Sequence, residues 1–428
     1  MASMPGLSHT LYNLLVQLAQ PLLRRKLARR AVAEPGYGVA VPERFGHYTQ
    51  PFESASELVW VHAVSLGESR TAGILVQTLR EALPGLRILL THGTATGRAE
   101  GQRLLRAGDV QVWQPWDTPA AVQRFLRHFR PRLGLLMETE VWPNLVLQSR
   151  ASGVPLALVN ARMSDKSLRS ALRWASLMRP TYGALAAVWA QTEDDAERLR
   201  ALSATVQAVT GNLKFDAQPD AAQCVQAQAW RSGLTRPVLM LASSREGEEA
   251  QWLEAVRRVP SALQQVQWLI VPRHPQRVEE VEDLLWQAGL TVSRRSSWSA
   301  AGPQGTAEVW LGDSLGEMAL YYSLADAALL GGSFAPLGGQ NLIEAAACAC
   351  PVFMGPHTFN FAEVAQQAEA EGAARRVLDM AQAVELAVGA VADTVAMQAW
   401  RTQALAFTQA HKGAARRVAA LVKDLSGL

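Results

Sequence analysis

The sequence predicts an α/β protein with two domains, each built on a parallel sheet that carries helices on both faces. Short apolar runs of strand length alternate with helical stretches along most of the 428 residues, and this alternation is typical of parallel sheets. The pattern stops at a polar connector, residues 216–220, and then restarts. A chain of this length also exceeds one ordinary core. We therefore expect two halves of similar size with a cleft between them.

Composition excludes several classes of protein. Hydrophobic residues make up 49% of the chain and charged residues 18%, which is typical of a globular protein and excludes disorder. The 41 basic and 38 acidic residues nearly balance, and no nucleic-acid-binding motif is present, so no nucleic-acid partner is predicted. The three cysteines and eight histidines lack the spacing of metal ligands. No metal site is predicted, and the thiols are interpreted as reduced and buried in a cytosolic compartment.

Residues 1–50 are predicted to form a helix followed by a linker rich in proline and glycine. Leucines recur at helical spacing over residues 7–22, and five basic residues without an acidic one follow over residues 24–30. The stretch is too polar and too short for a membrane span, and it has no signal-peptide cleavage site. An apolar helix beside a basic cluster is typical of a segment that lies on an anionic membrane surface. The alternative is a helix packed on its own domain with solvated charges.

Residues 51–216 are predicted to form the first α/β domain. The expected strands are Glu57–Val64 and residues 87–91, 110–113, 133–137, 156–159, 187–190 and 206–210. Three polar segments, SLGES, ETEVWPN and GNLKFD, directly follow strands of this domain. In open α/β sheets ligands bind beyond the carboxyl ends of the strands, so these segments are the predicted functional ones.

Residues 217–428 are predicted to form the second α/β domain. Its expected strands cover residues 238–242, 268–271, 308–311 and 327–330, and residues 381–428 are expected to be largely helical. The segments SSREGEE, PRHP and GDSLGE follow the first three of these strands. Arg273 in PRHP offers a cation to a phosphate.

The strongest ligand signal in the sequence is the glycine-rich segment after residue 330. Two glycine pairs, Gly331–Gly332 and Gly338–Gly339, precede a stretch of helical composition that begins at Asn341. Glycines allow close approach of the backbone, and the free N–H groups and dipole of a helix start favour a phosphate. Glu344, on the first turn, is placed to accept hydrogen bonds from a ribose. One glycine pair alone would indicate an ordinary corner, but two pairs and a following Gly-Pro-His loop favour a ligand site.

Charged side chains also follow the strands of the first domain. Glu68 lies at a strand end and a helix start, where it is either a general base or a partner of the helix dipole. Glu138 and Glu140 follow another strand, and like charges held close together raise one pKa. Lys214 is placed to stabilise a leaving phosphate, and the alternative is a solvated surface charge.

Segments spread over essentially the whole chain resemble those of one family. In order they are HAVSLGE, THGTATG, METEVWPNL, NARMSDKS, GNLKFD, EGEE, PRHP, GDSLGE, GGQN and GPHTFNF. Together they resemble the Kdo transferases of lipopolysaccharide synthesis, where Kdo is 3-deoxy-D-manno-oct-2-ulosonic acid. The resemblance implies the GT-B glycosyltransferase fold, with two Rossmann-like domains whose parallel sheets face a central cleft, plus an N-terminal amphipathic helix. The first domain would bind the acceptor and the second CMP-Kdo.

The reaction that the resemblance implies is an inverting transfer without a metal or another cofactor. Kdo would move from CMP-Kdo to the lipid A precursor (lipid IVA), at the cytoplasmic face of the cell inner membrane. The protein would be attached there either peripherally or by a single N-terminal anchor, with an anionic lipid surface as a further partner. By the same resemblance Glu68 matches the general base, and Glu138 and Lys214 match residues that stabilise the transition state. The matching CMP-binding residues are Pro272, Arg273, Leu315, Gly316, Glu317, Asn341, Leu342, Ile343 and Glu344.

The chain departs from the family pattern at three places. Gln340 stands where the family usually has histidine, Leu342–Ile343 where it has Pro-Leu, and residues 243–246 (SSRE) where it has Ser-Thr-His-Glu. Glu344 is retained, so the departures concern the details of donor contacts and acceptor choice.

Three alternative functions differ from this one in the sequence features that they require. A GT-B glycosyltransferase that uses a UDP-sugar donor and another membrane acceptor shares the architecture and is the closest alternative. A dinucleotide-dependent oxidoreductase is excluded, because no G-x-G-x-x-G motif follows an early strand. A non-catalytic scaffold at the membrane surface would tolerate loss of Glu68 and Glu138, which an enzyme would not.

Overall fold

The computed structural model describes residues 6–53, 58–259, 261–303 and 306–427. The chain divides into two units: unit 1 comprises Met1–Asp216 with Lys412–Leu428, and unit 2 comprises Ala217–His411. The second domain predicted to extend to residue 428 therefore ends earlier. The carboxylate of Asp216 accepts hydrogen bonds from the backbone N–H groups of Gly413 and Ala415, and these bonds tie the last helix to unit 1.

The predicted linker within residues 1–50 is also part of unit 1 rather than a separate segment. Its residues form two short 3-10 helices, Pro35–Gly38 and Val41–Phe45. Glu43 in the second of these is 4% exposed, and its Oε2 accepts hydrogen bonds from the backbone N–H of Trp113 and from Arg98. Buried ionic contacts of this kind fix the segment to the domain, which composition alone did not indicate.

The core of unit 1 is a seven-stranded, fully parallel sheet, sheet 1, with strand order β3-β2-β1-β4-β5-β6-β7. Its strands are β1 (Leu58–His62), β2 (Arg87–His92), β3 (Val110–Trp113), β4 (Leu133–Met137), β5 (Leu156–Ala161), β6 (Ala187–Ala190) and β7 (Val206–Val209). The predicted first strand began at Glu57, which lies outside the described residues. Successive residues of β1 enter different hydrophobic clusters, so both faces of the sheet are covered.

Unit 2 contains a second parallel sheet of seven strands, sheet 2, with order β10-β11-β9-β8-β12-β13-β14. Its strands are β8 (Val238–Ser244), β9 (Gln267–Pro272), β10 (Val292–Arg294), β11 (Val309–Leu311), β12 (Ala327–Leu330), β13 (Val352–Met354) and β14 (Ala374–Arg376). Strands β10, β13 and β14 were not predicted. Each has only three residues, and so has β11, which was predicted; length alone therefore does not account for the three that were missed.

Helices cover both sheets. Those of unit 1 are α1 (Leu7–Ala33), α2 (Leu66–Ala82), α3 (Ala95–Gln102), α4 (Pro119–Phe129), α5 (Pro143–Ala151), α6 (Asp165–Leu172), α7 (Ala175–Tyr182), α8 (Glu193–Arg200) and α18 (Ala414–Ser426). Those of unit 2 are α9 (Ala221–Arg231), α10 (Glu248–Arg258), α11 (Ala262–Gln265), α12 (Val278–Gln287), α13 (Met318–Leu324), α14 (Ile343–Ala347), α15 (Ala362–Ala370), α16 (Met380–Ala392) and α17 (Thr394–Ala410).

Helix α1 attaches to unit 1 through polar side chains and leaves its leucines exposed. His9 bonds to the Oδ1 of Asn144 at 2.9 Å, and the Tyr12 hydroxyl donates to Asp117 at 2.7 Å. The exposed leucines, at least 47% accessible, share one stripe of the helix: Leu7, Leu11, Leu14, Leu15, Leu18 and Leu22. Six leucines thus lie exposed along one side of α1, on the side turned away from the domain.

No single helix among the described residues is both long and apolar enough to cross a membrane. One bent pair, Met380–Ala392 with Thr394–Ser426, meets the criterion by length and composition. The apolar side chains of α16 in this pair belong to the core of unit 2, among them Val384 and Val388. Burial inside the domain accounts for the apolar composition of that helix.

Candidate functional site

Each sheet has a topological switch point, the position between two neighbouring strands from which the strand order runs outward in both directions. Most of the predicted residues follow strands at or next to this point. In sheet 1 the switch lies between β1 and β4, which Glu68 and Glu138 follow. In sheet 2 it lies between β8 and β12, and the predicted CMP-binding segments follow β12, β9 on the other side of β8, and β11 one strand further out. The crevice outside a switch point is the usual ligand site of such sheets.

Glu68 lies in the first turn of α2, directly beyond β1. Its Oε2 accepts the backbone N–H of Val64 at 2.9 Å, and its Oε1 accepts the hydroxyl of Ser65 at 2.9 Å. Ser65 in turn caps the helix by accepting the N–H of Glu68. Glu68 therefore lies where it favours the helix dipole, as the structural alternative requires, and its carboxylate is also fixed at the edge of the sheet.

Burial raises the pKa of Glu68 above that of an ordinary glutamate. The hydrogen bonds from Val64 and Ser65 act in the opposite direction, while the negative charges of Glu140 and Glu138 raise the pKa further. A carboxylate with a raised pKa is a stronger base than a solvated one. The environment of Glu68 thus suits proton abstraction near neutral pH.

Glu138 and Lys214, predicted separately, form an ion pair. The Lys214 Nζ lies 3.0 Å from Oε1 of Glu138, and the Nε of Arg162 lies 4.0 Å from its Oε2. The Glu138 side chain is 12% exposed and that of Lys214 is 20% exposed. Glu138 also has a φ of 55°, in the left-handed region that non-glycine residues rarely adopt. Backbone strain of this kind concentrates at functional sites.

The sequence did not indicate which residues hold Lys214 in place. Asn160 in β5 accepts the backbone N–H of Leu213 through its Oδ1 at 3.0 Å, and it has a φ of 53°. The Asn212 side chain accepts the N–H of Lys214 itself. Asn160 and Arg162 both belong to the NARMSDKS segment. That motif was therefore the feature of the sequence from which their part in the site could have been inferred.

Glu140, the second carboxylate of the ETE segment, pairs with different groups. Its Oε2 lies 3.9 Å from Nε2 of the fully buried His62 and accepts the indole N–H of Trp142 at 2.9 Å. Burial alone would raise the pKa of Glu140, but His62 and Trp142 outweigh it and lower the pKa below the usual value. Glu140 is thus held as an anion close enough to act on Glu68 electrostatically.

The predicted CMP-binding residues of sheet 2 divide into exposed and buried ones. Pro272 ends β9 and is buried, whereas Arg273 after it is exposed. Leu315 is 79% exposed, and Gly316 accepts a hydrogen bond from the side chain of Gln223 through its carbonyl. Glu317 is bound by Arg295 at 2.9 Å and by the hydroxyl of Ser314. Among these residues, Arg273 and Leu315 present side chains to solvent.

The last predicted segment contains one side chain that faces outward. Leu342 and Ile343 are each 1% exposed, so their side chains belong to the core and only their backbone is placed to contact a ligand. Glu344 is exposed, and its Oε1 accepts a hydrogen bond from the Asn341 amide at 3.2 Å. The stretch of helical composition that begins at Asn341 forms only the five-residue helix α14, Ile343–Ala347.

The glycine loop after β12 differs from the predicted phosphate cradle. The backbone N–H groups of Gly332, Phe334 and Ala335 donate to the buried carboxylate of Glu248. These donors therefore bind an anion of the protein itself and are not free for a phosphate. Gln340, one of the departures from the family pattern, contacts Gly332, since a Cβ there would lie 3.2 Å from its Nε2.

Metal ligands and reactive thiols are the remaining groups to consider among the described residues. No group of three or more His, Cys, Asp or Glu side chains in the described ranges is placed to hold a metal ion. Cys350 is buried and Cys224 and Cys348 are half-buried, and burial raises the pKa of the thiols of Cys348 and Cys350 to about 12. Such thiols remain protonated at neutral pH.

A cavity of about 580 Å³ opens near the amino ends of β8 and β12, at the edge of sheet 2 opposite the predicted site. Arg231 and Arg401 line it, but they donate to the backbone carbonyls of Leu324 and Ala325, and Arg231 also pairs with Asp326. These arginines satisfy the carbonyl groups at the end of α13. The two arginines therefore have partners within the protein, and their presence in the cavity wall does not indicate a ligand.

Comparison with known proteins connects these residues to a family. Residues 40–217 match the family model described as 3-deoxy-D-manno-octulosonic-acid transferase (kdotransferase). A 3-deoxy-D-manno-octulosonic acid transferase of Bordetella pertussis is 47% identical over 428 residues, which cover 97% of this chain and 99% of that protein. The chain belongs to the Kdo transferase family. This confirms the resemblance identified from the sequence motifs.

Two further comparisons concern the family and the fold, respectively. A Kdo transferase of Haemophilus influenzae is 31% identical to the present transferase over 384 residues, 89% of this chain and 90% of that protein. The crystal structure of a glycosyltransferase from Rickettsia africae has a TM-score of 0.55 at 13% identity, over 87% of this chain and 99% of that one. That likeness shows the fold alone. With the two parallel sheets, it confirms the predicted GT-B architecture and the presence of an N-terminal helix.

Proposed function

We propose that this Kdo transferase moves Kdo from CMP-Kdo to a hydroxyl group of the lipid A precursor, in an inverting reaction of lipopolysaccharide synthesis. The observation that carries the proposal is the charge arrangement beyond β1 and β4. A carboxylate with a raised pKa, Glu68, lies beside the ion pair of Glu138 and Lys214. A base and a fixed cation are the two groups that this transfer requires.

Glu68 is the proposed general base. A sugar hydroxyl is a weak nucleophile at neutral pH, so a base must take its proton as the new bond to the anomeric carbon forms. Glu138 is a weaker candidate, because its Oε1 is already engaged by the Lys214 Nζ at 3.0 Å. Glu68 has no such lysine among its contacts in the described residues, and burial makes it more basic.

The leaving group is CMP, which departs with the electron pair of the bond between the anomeric carbon and the phosphate oxygen. It gains less negative charge than a nucleoside diphosphate would, so amino-acid cations suffice in this proposal and no metal is required. Lys214 and Arg273 are the proposed sources of positive charge. Glu344 and Asn341 are proposed to bind the nucleoside, since Glu344 is exposed and is held by the Asn341 amide.

A membrane acceptor fits the properties of α1. The leucine stripe, from Leu7 to Leu22, is exposed while the opposite face bonds to unit 1. Basic residues follow within the same helix, at positions 24–30. We propose that the stripe enters the surface of an anionic bilayer, the cytoplasmic face of the inner membrane, and that the basic cluster binds lipid head groups.

The product identifies the reaction most directly. Purified protein is incubated with CMP-Kdo and lipid A precursor, and the molecular mass of the lipid product is measured by mass spectrometry. The proposal predicts a mass increase of one Kdo unit or a multiple of it. UDP-sugars offered to the same acceptor serve as the control. Transfer from a UDP-sugar, with none from CMP-Kdo, would favour the alternative donor class.

The membrane contact is tested with exposed leucines. The double substitution Leu18→Gln and Leu22→Gln removes two side chains that are each 67% exposed. Each buried leucine contributes about 1.5–3 kcal/mol, so loss of the two should weaken binding to phosphatidylglycerol vesicles by roughly 100-fold or more. The matched control is Leu378→Gln, since Leu378 is 79% exposed but lies in unit 2. Equal pelleting of both variants with vesicles would contradict the proposed surface.

A further inference from the structure

Glu248, the first residue of α10, has a fully buried carboxylate near the switch point of sheet 2. Its Oε2 accepts the backbone N–H of Arg245 at 2.8 Å and that of Gly332 at 2.7 Å. Its Oε1 accepts the N–H groups of Phe334 at 3.1 Å and Ala335 at 3.4 Å. One carboxylate therefore joins the loop after β8 to the glycine loop after β12.

The end of β8 and the glycine loop touch closely, and β8 has an unfavourable backbone conformation there. Ser243 has a φ of 54°, in the left-handed region that non-glycine residues rarely adopt, whereas Gly332 has a φ of 70°, which glycine adopts without steric cost. A Cβ on Gly331 would lie 2.3 Å from the carbonyl oxygen of Ser243. A serine in that region persists only where the surrounding bonds hold it. The four hydrogen bonds to Glu248 are bonds of that kind.

Hydrogen bonds connect the glycine loop to two further backbone segments. The carbonyl of Gly332 accepts the N–H of Gly339 at 2.7 Å, just before the segment that carries Asn341 and Glu344. Ser333 accepts the N–H of Gly355 through its hydroxyl at 2.8 Å, which connects the loop after β13. Displacing Gly332 would therefore move the backbone that leads to Glu344.

We propose that Glu248 is a positioning residue for nucleotide binding. Its carboxylate occupies the N–H groups of the glycine loop and so fixes the backbone that presents Asn341 and Glu344. Loops with several N–H groups pointing inward normally enclose a bound anion such as phosphate. Here the enclosed anion belongs to the protein, and the loop is ordered before the donor binds. The inference rests on the proposed function, in which this edge of sheet 2 binds CMP.

The test compares donor binding with turnover in Glu248→Gln. A glutamine would place its amide N–H group against backbone N–H donors, so at least one bond is lost and a repulsive contact arises. We expect the dissociation constant of CMP and the KM for CMP-Kdo to rise roughly 10- to 100-fold. The kcat at saturating donor should stay within about 2-fold, because the base lies in unit 1. Glu248→Asp, which keeps the charge, should recover part of the loss.

Controls separate this role from general stability. Glu254→Gln alters an exposed carboxylate of the same helix and should leave KM unchanged. Ser333→Ala removes the acceptor of the Gly355 N–H and should raise KM less than Glu248→Gln does; it replaces that variant if Glu248→Gln does not fold. Wild-type KM in the folded variants, or a loss confined to kcat, overturns the inference. Failure of the wild-type protein to bind CMP overturns the proposed function instead.

Discussion

The carboxyl edges of the two sheets share a plan but use their acidic residues differently. Beyond sheet 1, Glu68 and Glu138 remain partly exposed, and Glu138 is paired with the side chain of Lys214. Beyond sheet 2, Glu248 and Glu249 are at most 1% exposed. Glu248 is bound by backbone N–H groups, and Glu249 by the guanidinium of Arg277.

Burial and the type of hydrogen-bond partner therefore distinguish carboxylates that are able to react with a substrate from carboxylates that hold the backbone in place. A half-exposed carboxylate with a raised pKa is able to exchange a proton with a substrate. A carboxylate enclosed by four N–H donors has no free position for one. Both edges also contain a non-glycine residue with positive φ beside the switch point, Glu138 in one and Ser243 in the other. The same backbone conformation thus places the carboxylate of Glu138 against Lys214 in sheet 1, and it brings Ser243 close to Gly331 in sheet 2.

The largest expected effect concerns Glu68. Glu68→Gln keeps the shape and can still accept the N–H of Val64, while the Ser65 hydroxyl turns to accept from the new amide. The variant cannot take a proton, so kcat for Kdo transfer should fall roughly 10²- to 10⁴-fold. The measurement is product formation under single-turnover conditions. Near-normal turnover would transfer the role of base to Glu138.

A smaller loss is expected when the cation beyond sheet 1 is removed. Lys214→Met leaves Glu138 without its 3.0 Å partner and removes positive charge from the reaction site. We expect kcat to fall roughly 10²-fold, the usual result of deleting one electrostatic contact to a transition state. Lys166→Met, at an exposed position in α6, is the matched control. Equal activity of the two variants would assign Lys214 a purely structural role.

The smallest expected effect is on the pH dependence. Because burial raises the pKa of Glu68, the acid limb of kcat/KM should lie above the range of an ordinary glutamate. Activity should be lost as the pH falls through that pKa, since protonation removes the base. The charge of Glu140 contributes to the shift, so Glu140→Gln should move the limb toward lower pH. A limb that stays in place in this variant would contradict the coupling of the two carboxylates.

Much of this arrangement was predictable from the sequence. Buried strands such as β4 and β12 are apolar runs bounded by polar or glycine residues, so their location and type followed from local pattern. The segments after them, which contain Glu68, Glu138 and Glu344, were recognisable because parallel strands place function at one edge.

The remainder depends on long-range contacts that no local pattern encodes. The pairing of Lys214 with Glu138 spans 76 residues, and the bond from Gly332 to Glu248 spans 84. The sequence identified the glycine loop as an anion site, but it could not show that the anion is a side chain of α10. Nor could it show that the last helix, α18, returns to unit 1, because its composition suits either core.

The central claim is that proton transfer belongs to the edge of sheet 1 and nucleotide binding to the edge of sheet 2. The most direct test measures the CMP dissociation constant by calorimetry and the kcat at saturating donor, in both Glu68→Gln and Glu344→Ala. The account predicts a crossed result. Glu68→Gln should bind CMP normally and lose turnover, while Glu344→Ala should bind CMP roughly 10- to 100-fold more weakly and keep its kcat. Parallel losses of binding and turnover in both variants would contradict the division.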